Sequence, residues 1–223
     1  MSHHPAAIFI ADSRGLDFLN SVATPVDTQV DWIADGEGLL DWLEQAKYAP
    51  TDVLNEIKMR AKPDELNRVA GEARSLREWC RGFVGNHMGR PLKPDALRDL
   101  EPLNRLLAQD EAFSQIHRRH DDGGGRLALH ATRRWRSPQS LLLPIGERLA
   151  QFICEENFSD VKACEGASCT LLFADHTRRR ARRWCSMAIC GNRAKQAAHR
   201  ERLKSTPLKA ANPLTSTQAK RRS

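Results

Sequence analysis

The 223-residue chain predicts an α+β protein, mostly helical in its amino-terminal part with one β-hairpin, and closed by a small cysteine-centred module. Three observations carry this reading. Apolar residues recur at helical spacing over much of the first 156 residues. The period turns strand-like on either side of the glycine run at residues 123–125. Four cysteines then crowd into the stretch from Cys164 to Cys190 as Cys-x4-Cys, fifteen residues, Cys-x4-Cys.

Residues 7–11 are apolar and form a short first strand in this reading. Residues 37–47 carry Leu39, Leu40 and Leu43 on one helical face, and residues 52–60 carry Val53, Leu54 and Ile57 behind Thr51 as N-cap. The strongest helix signal covers residues 63–86, where Leu66, Val69, Ala70, Ala73, Leu76, Cys80, Phe83 and Val84 make a stripe of 3.6-residue period. Leu97, Leu100, Leu103, Leu106 and Leu107 continue the style, with Pro102 kinking or dividing that helix. Residues 113–120 and 126–135 flank the turn-forming run from Asp121 to Gly125 as a hairpin. Ser137 and Pro138 read as N-cap and N1 proline of a helix reaching about Glu156 and bent at Pro144. No internal repeat and no membrane span is visible.

The cysteine spacing reads as one tetrahedral zinc site. Zn²⁺ takes four thiolates at about 2.3 Å, and two short-range pairs deliver Cys164, Cys169, Cys185 and Cys190 with little loop-closure cost. No basic segment followed by a long apolar run opens the chain, so the thiols are expected in a reducing cytoplasm, where disulfides rarely persist. Inside the module residues 170–173 have strand bias, residues 183–185 return beside them, and Gly191 and Asn192 open a helix to about Lys204. Knuckle, hairpin and ligand-bearing helix describe a treble-clef-like zinc finger with four cysteine ligands; a zinc ribbon with a helical appendage uses the same four.

These residues resemble a known family. Trp184-Cys185-Ser186-Met187, then Cys190-Gly191-Asn192-Arg193 and Lys195, with Phe173, Asp175, Arg200 and Arg202, resemble the CGNR zinc finger of bacterial proteins. Its usual amino-terminal companion is the ABATE domain, to whose LDFxNT segment Leu16-Asp17-Phe18-Leu19-Asn20-Ser21 is similar, with Ser21 in place of Thr. The resemblance spans most of residues 8–204. It implies a stress-induced transcriptional regulator, a role inferred for the family largely from the finger, with an ABATE-like sensory or assembly domain over residues 1–158 and a finger over 159–206. Residues 207–223 are short of apolar groups and end in Lys220-Arg221-Arg222, which reads as a disordered basic tail.

Charge supports the finger as the polyanion-binding end. Residues 161–223 hold fifteen Lys and Arg against Glu165, Asp175 and Glu201, a net +12, whereas residues 1–160 are net −5. Four thiolates on one Zn²⁺ remove about two units and leave the finger strongly positive. Such segregation is the footprint of nucleic-acid binding. The candidate contacts are Arg178, Arg179, Arg180, Arg182 and Arg183 on the hairpin, gripping phosphates, and Arg193, Lys195, Gln196, Arg200 and Lys204 on the helix. Arg193, Gln196, Arg200 and Lys204 share a face suited to a major groove, while Ala194, Ala197, Ala198 and Leu203 turn toward the hairpin. Asn192 either joins these contacts or caps the helix. Trp184 packs over the knuckle or stacks on a base.

The amino-terminal part shows no catalytic constellation, and the chain is not read as an enzyme. His3, His4, His87, His117, His120 and His130 lack metal-ligand spacing with a helical carboxylate; His117 and His130 face each other across the hairpin. Cys80 and Cys154 read as buried small hydrophobes. Asp17, Asn20 and Arg77 remain: Asp17 and Arg77 either pair structurally or, with Asn20, line a pocket for a small-molecule effector. The expectation is a cytoplasmic DNA-binding regulator holding one zinc per chain, possible as a homodimer, with no membrane partner. An RNA-binding protein and a small-molecule enzyme carrying a structural zinc are the alternatives.

Overall fold

The computed structural model describes residues 6–24, 28–118 and 127–205, without the side chains of Lys204 and Ser205. The turn expected at residues 121–125, the tail over 207–223 and the side chain of Lys204 therefore lie outside the described residues.

The elements are α1 (Arg14–Leu19), β1 (Val22–Ala23), β2 (Val30–Asp31), α2 (Gly36–Gln45), α3 (Thr51–Arg60), α4 (Pro63–His87), a 3₁₀ run Pro94–Leu100, α5 (Glu101–Leu107), β3 (Ala112–Arg118), β4 (Leu127–Arg133), a 3₁₀ turn Pro138–Leu141, α6 (Leu142–Glu155), a 3₁₀ turn Phe158–Asp160, β5 (Val161–Ala163), β6 (Leu172–Ala174), a π-helical turn Met187–Gly191 and α7 (Asn192–Ser205). Each strand pairs antiparallel with one neighbour: β1 with β2, β3 with β4, and β5 with β6. The mixed helix-and-hairpin architecture is that expected from sequence.

Helix α1 is the hub. Leu16, Phe18 and Leu19 are buried, and the helix packs against α4, α6 and β6. Gly15 permits the approach, because a Cβ there would lie 2.5 Å from Phe152 Cβ. Helix α4 buries Leu66, Val69, Ala70, Ala73, Cys80, Phe83 and Val84 along the expected stripe. Trp42 of α2 sits at an aromatic cluster with Phe9, Phe18 and Tyr48, ring centroids 5.1–5.8 Å apart. One apolar cluster runs from these helices into the cysteine module through Val161, Cys164, Leu171, Leu172, Phe173 and Ala174.

Several local expectations are corrected. Residues 7–11 form no strand; Ala11 gives its carbonyl to Ala174 N–H at 2.8 Å, while the Ile10 carbonyl is taken by Arg182, so no ladder develops. Thr51 is the first residue of α3 rather than its cap. Pro102 divides rather than kinks: the 3₁₀ run ends at Leu100 and α5 restarts with Pro102 in its first turn, where the missing N–H costs no bond. The same logic places Pro144 in the first turn of α6, not at a bend inside it. Residues 183–185 do not return beside 170–173, because β6 pairs with β5 upstream. Cys154 is exposed, not buried.

Candidate metal centre and basic face

Strand β5 delivers the chain to Cys164, whose sulfur accepts from Gly166 N–H at 3.4 Å and from Cys185 N–H at 3.3 Å. Cys169 N–H closes a tight turn onto the Gly166 carbonyl at 3.0 Å. Glycine eases the approach there: a Cβ would stand 3.0 Å from Cys190 Sγ and 3.1 Å from Cys169 Cβ, a tight fit. On the other side Ser186 accepts from Ala188 N–H with its hydroxyl at 3.2 Å, and its carbonyl accepts from both Cys190 and Gly191 N–H at 3.0 Å. This wide turn puts Cys190 beside Cys185. Ser186, not Asn192, is therefore the cap, and Asn192 stands exposed at the first position of α7.

The four sulfurs lie within 4.8 Å of one another, with Cys169 to Cys185 at 3.8 Å and Cys185 to Cys190 at 3.7 Å. A tetrahedron with metal–sulfur arms of about 2.3 Å has edges of about 3.8 Å, so the donor set matches Zn²⁺ in size and softness. Ionisation of the cluster is opposed from within. The Cys185 thiol pulls Cys169 down to about 5 by hydrogen bonding to it, and that bond in turn holds Cys185 far above its ordinary value. Burial pushes Cys190 up to about 12. Four thiolates need a divalent cation to coexist here, and the four cysteines fit one zinc ion.

The arginine run does not act as one patch. Arg182 reaches inward to the carbonyls of Ile10 (3.1 Å), Trp184 (3.0 Å) and Cys185, pairs with Asp12 and lies 4.4 Å over the Phe173 ring. Arg180 turns back to the Asp175 carbonyl and to Asp160 at 3.3 Å. Arg183 pairs with Glu165 at 2.6 Å and stacks 5.0 Å from Trp184, which packs against the core beside Gly191 as the knuckle reading expects. Arg178 and Arg179 are exposed and form no ion pair among the described residues.

Along α7, Lys195, Gln196 and Arg200 are exposed and Arg193 is half-buried. Arg193, Ala194, Ala197 and Arg200 line one wall of a groove of about 460 Å³, the knuckle from Glu165 to Cys169 forming the other. The expected apolar face is not covered, since Ala197, Ala198 and Leu203 are exposed. Among the helices and strands, α7 packs chiefly against the preceding π turn.

The three residues read as a ligand set are each bonded within the fold. Arg77, 3% exposed, makes a two-pronged ion pair with Asp31 at 2.8 and 2.9 Å and bonds Ser21 Oγ at 3.1 Å and Glu78 at 2.8 Å, so its carboxylate partner is Asp31 rather than Asp17. Burial pushes Asp17 up to about 6, although the backbone N–H of Ala11, 3.1 Å away, stabilises its charge. Asn20 grips Leu172 of β6 from both sides, donating to the carbonyl at 2.8 Å and accepting from the N–H at 2.9 Å. His117 and His130 meet edge to face at 5.9 Å on the exposed hairpin. Cys80 is buried, which pushes its thiol up to about 12.

Residues 12–156 match the ABATE family, described as "Putative stress-induced transcription regulator", and residues 161–203 match the CGNR zinc finger. No curated protein matches the chain. No helix among the described residues is long and apolar enough to cross a membrane.

Proposed function

Because the chain belongs to the ABATE family and carries a CGNR zinc finger, we propose that it is a transcriptional regulator that binds duplex DNA through residues 159–206 and uses residues 1–158 for sensing or assembly. The observation that carries this reading is the outward set of long polar side chains on the metal-held module. Arg178 and Arg179 project from its loop, and Lys195, Gln196 and Arg200 from α7, while residues 1–160 are net acidic. Arginines at a loop tip suit phosphates, and a helix bearing Arg and Gln suits base edges in a major groove. Zinc bound by the four cysteines supplies structure: it fixes the knuckle against the start of α7 and so fixes loop relative to helix.

Sensing, in this reading, works through the seam between the two parts. A groove of about 660 Å³ runs between the amino-terminal segment, with Phe9 and Ile10, and the finger, with Trp184 and Met187. A small molecule seated there touches both parts. The test of the function is titration of zinc-loaded full-length chain into labelled duplex DNA and RNA of matched sequence at several salt concentrations. Tighter binding to DNA with a steep salt slope is expected. Preference for RNA, or no binding by either at about 50 mM salt, would overturn the reading.

A further inference from the structure

The loop that carries Arg178 and Arg179 is organised by one carboxylate. Asp175 is fully buried just after β6. Its Oδ1 accepts from Thr177 N–H at 3.1 Å and from the Thr177 hydroxyl at 2.6 Å, while its Oδ2 accepts from Arg182 N–H at 2.8 Å and from Lys162 Nζ at 2.7 Å. One side chain thus ties the two ends of the loop together. Between them, Arg180 N–H bonds the Thr177 carbonyl at 3.0 Å and Arg180 takes a positive φ of 49°. Arg178 and Arg179 are therefore the two corner residues of a closed turn. Lys162 also reaches the Arg180 carbonyl, and the Arg180 guanidinium returns to the Asp175 carbonyl and to Asp160. Burial raises the cost of the Asp175 charge, but the bonds from Lys162, Thr177 and Arg182 outweigh it and hold the carboxyl well below the usual carboxylate range.

We propose that Asp175 is a positioning residue of the DNA interface, its buried carboxylate preforming the turn that holds Arg178 and Arg179 outward to grip two backbone phosphates. This rests on the DNA-binding reading above. A free loop would have to be ordered on binding, and fixing each residue costs on the order of 1 kcal/mol or more. A loop tied at both ends by Asp175 has already met that cost in folding. Arg180 and Arg182 belong to the frame, and Arg178 and Arg179 are what it presents.

The test uses zinc-loaded full-length chain, random-sequence duplex DNA and Asp175→Asn. The amide keeps the shape but faces N–H donors with its NH₂ group, so the tie slackens. DNA affinity should fall roughly 5–30-fold while the slope of log affinity against log salt is kept, because the same phosphates are reached once bound. The decisive readout is coupling: in an Arg178→Ala/Arg179→Ala background, Asp175→Asn should cost less than about twofold more. An undiminished loss in that background would overturn the proposal and leave Asp175 as general support for the finger. If Asp175→Asn loses zinc, Thr177→Val, which removes the 2.6 Å bond alone, replaces it, with the same pattern at smaller size expected. Trypsin cleavage after Arg178 and Arg179, mapped by mass spectrometry without DNA, reads the preformed turn independently of the function. Asp175→Asn should speed it about tenfold; an unchanged rate would sink the positioning claim even if the chain binds no DNA at all.

Discussion

Replacing Asn20 with Ala tests whether the finger and the helical part share one core. Asn20 is 1% exposed, and its two bonds to Leu172 are the only side-chain partners of that residue's backbone N–H and carbonyl among the described residues. Truncation leaves both groups buried without a partner. At about 1–3 kcal/mol for each orphaned group, the loss should be about 4 kcal/mol, a large share of the roughly 5–15 kcal/mol that holds a typical domain folded. Urea unfolding of the zinc-loaded chain, followed by far-ultraviolet circular dichroism and tryptophan fluorescence together, should show the midpoint fall by about 1.3–2 M at a slope of roughly 2–3 kcal/mol/M. Both probes should move together, since Leu172 lies in the cluster that continues into the helices. A loss under about 1 kcal/mol, or a change confined to the finger, would refute the shared core.

Cys185→Ser should reduce bound zinc from one per chain to well under half, read by elemental analysis, and open the knuckle to proteolysis, because Cys185 lies within 3.8 Å of two other ligand sulfurs. Arg77→Ala should destabilise by about 3 kcal/mol in the same urea assay, since it strands Asp31 and Ser21 and empties the site; Arg77→Met, which loses the same bonds but refills the space, should cost less. Asp17→Asn should be pH-dependent. With its carboxyl raised to about 6, the folded chain binds the proton more tightly than the unfolded chain, so ionised Asp17 costs increasing stability as pH rises from about 4 through 6. The cost levels off at up to about 3 kcal/mol, so the variant should gain at about pH 8 relative to wild type and gain nothing at about pH 4.

What the sequence showed follows from the range of each signal. The stripe on α4 and the spacing of Cys164, Cys169, Cys185 and Cys190 are local and repeated, and both were legible. Helix α1, six residues long, and strands β1 and β2, two residues each, are shorter than any periodicity window, yet α1 is the hub. The pair Arg77–Asp31 and the grip of Asn20 on Leu172 join residues 46 and 152 apart, which no local pattern encodes. The arginine run showed its charge but not its directions. Those depend on Asp175, whose place in the motif was visible while its hydrogen bonds to Thr177, Arg182 and Lys162 were not.

The most direct measurement is the salt dependence of duplex DNA binding by zinc-loaded wild-type chain and by Arg178→Ala/Arg179→Ala. Each phosphate contact contributes about 0.9 to the slope of log affinity against log salt, so the double variant should bind more weakly and its slope should fall by about 1.8. Equal slopes for the two proteins would contradict the assignment of these arginines to phosphates, and with it the finger as the DNA-binding face.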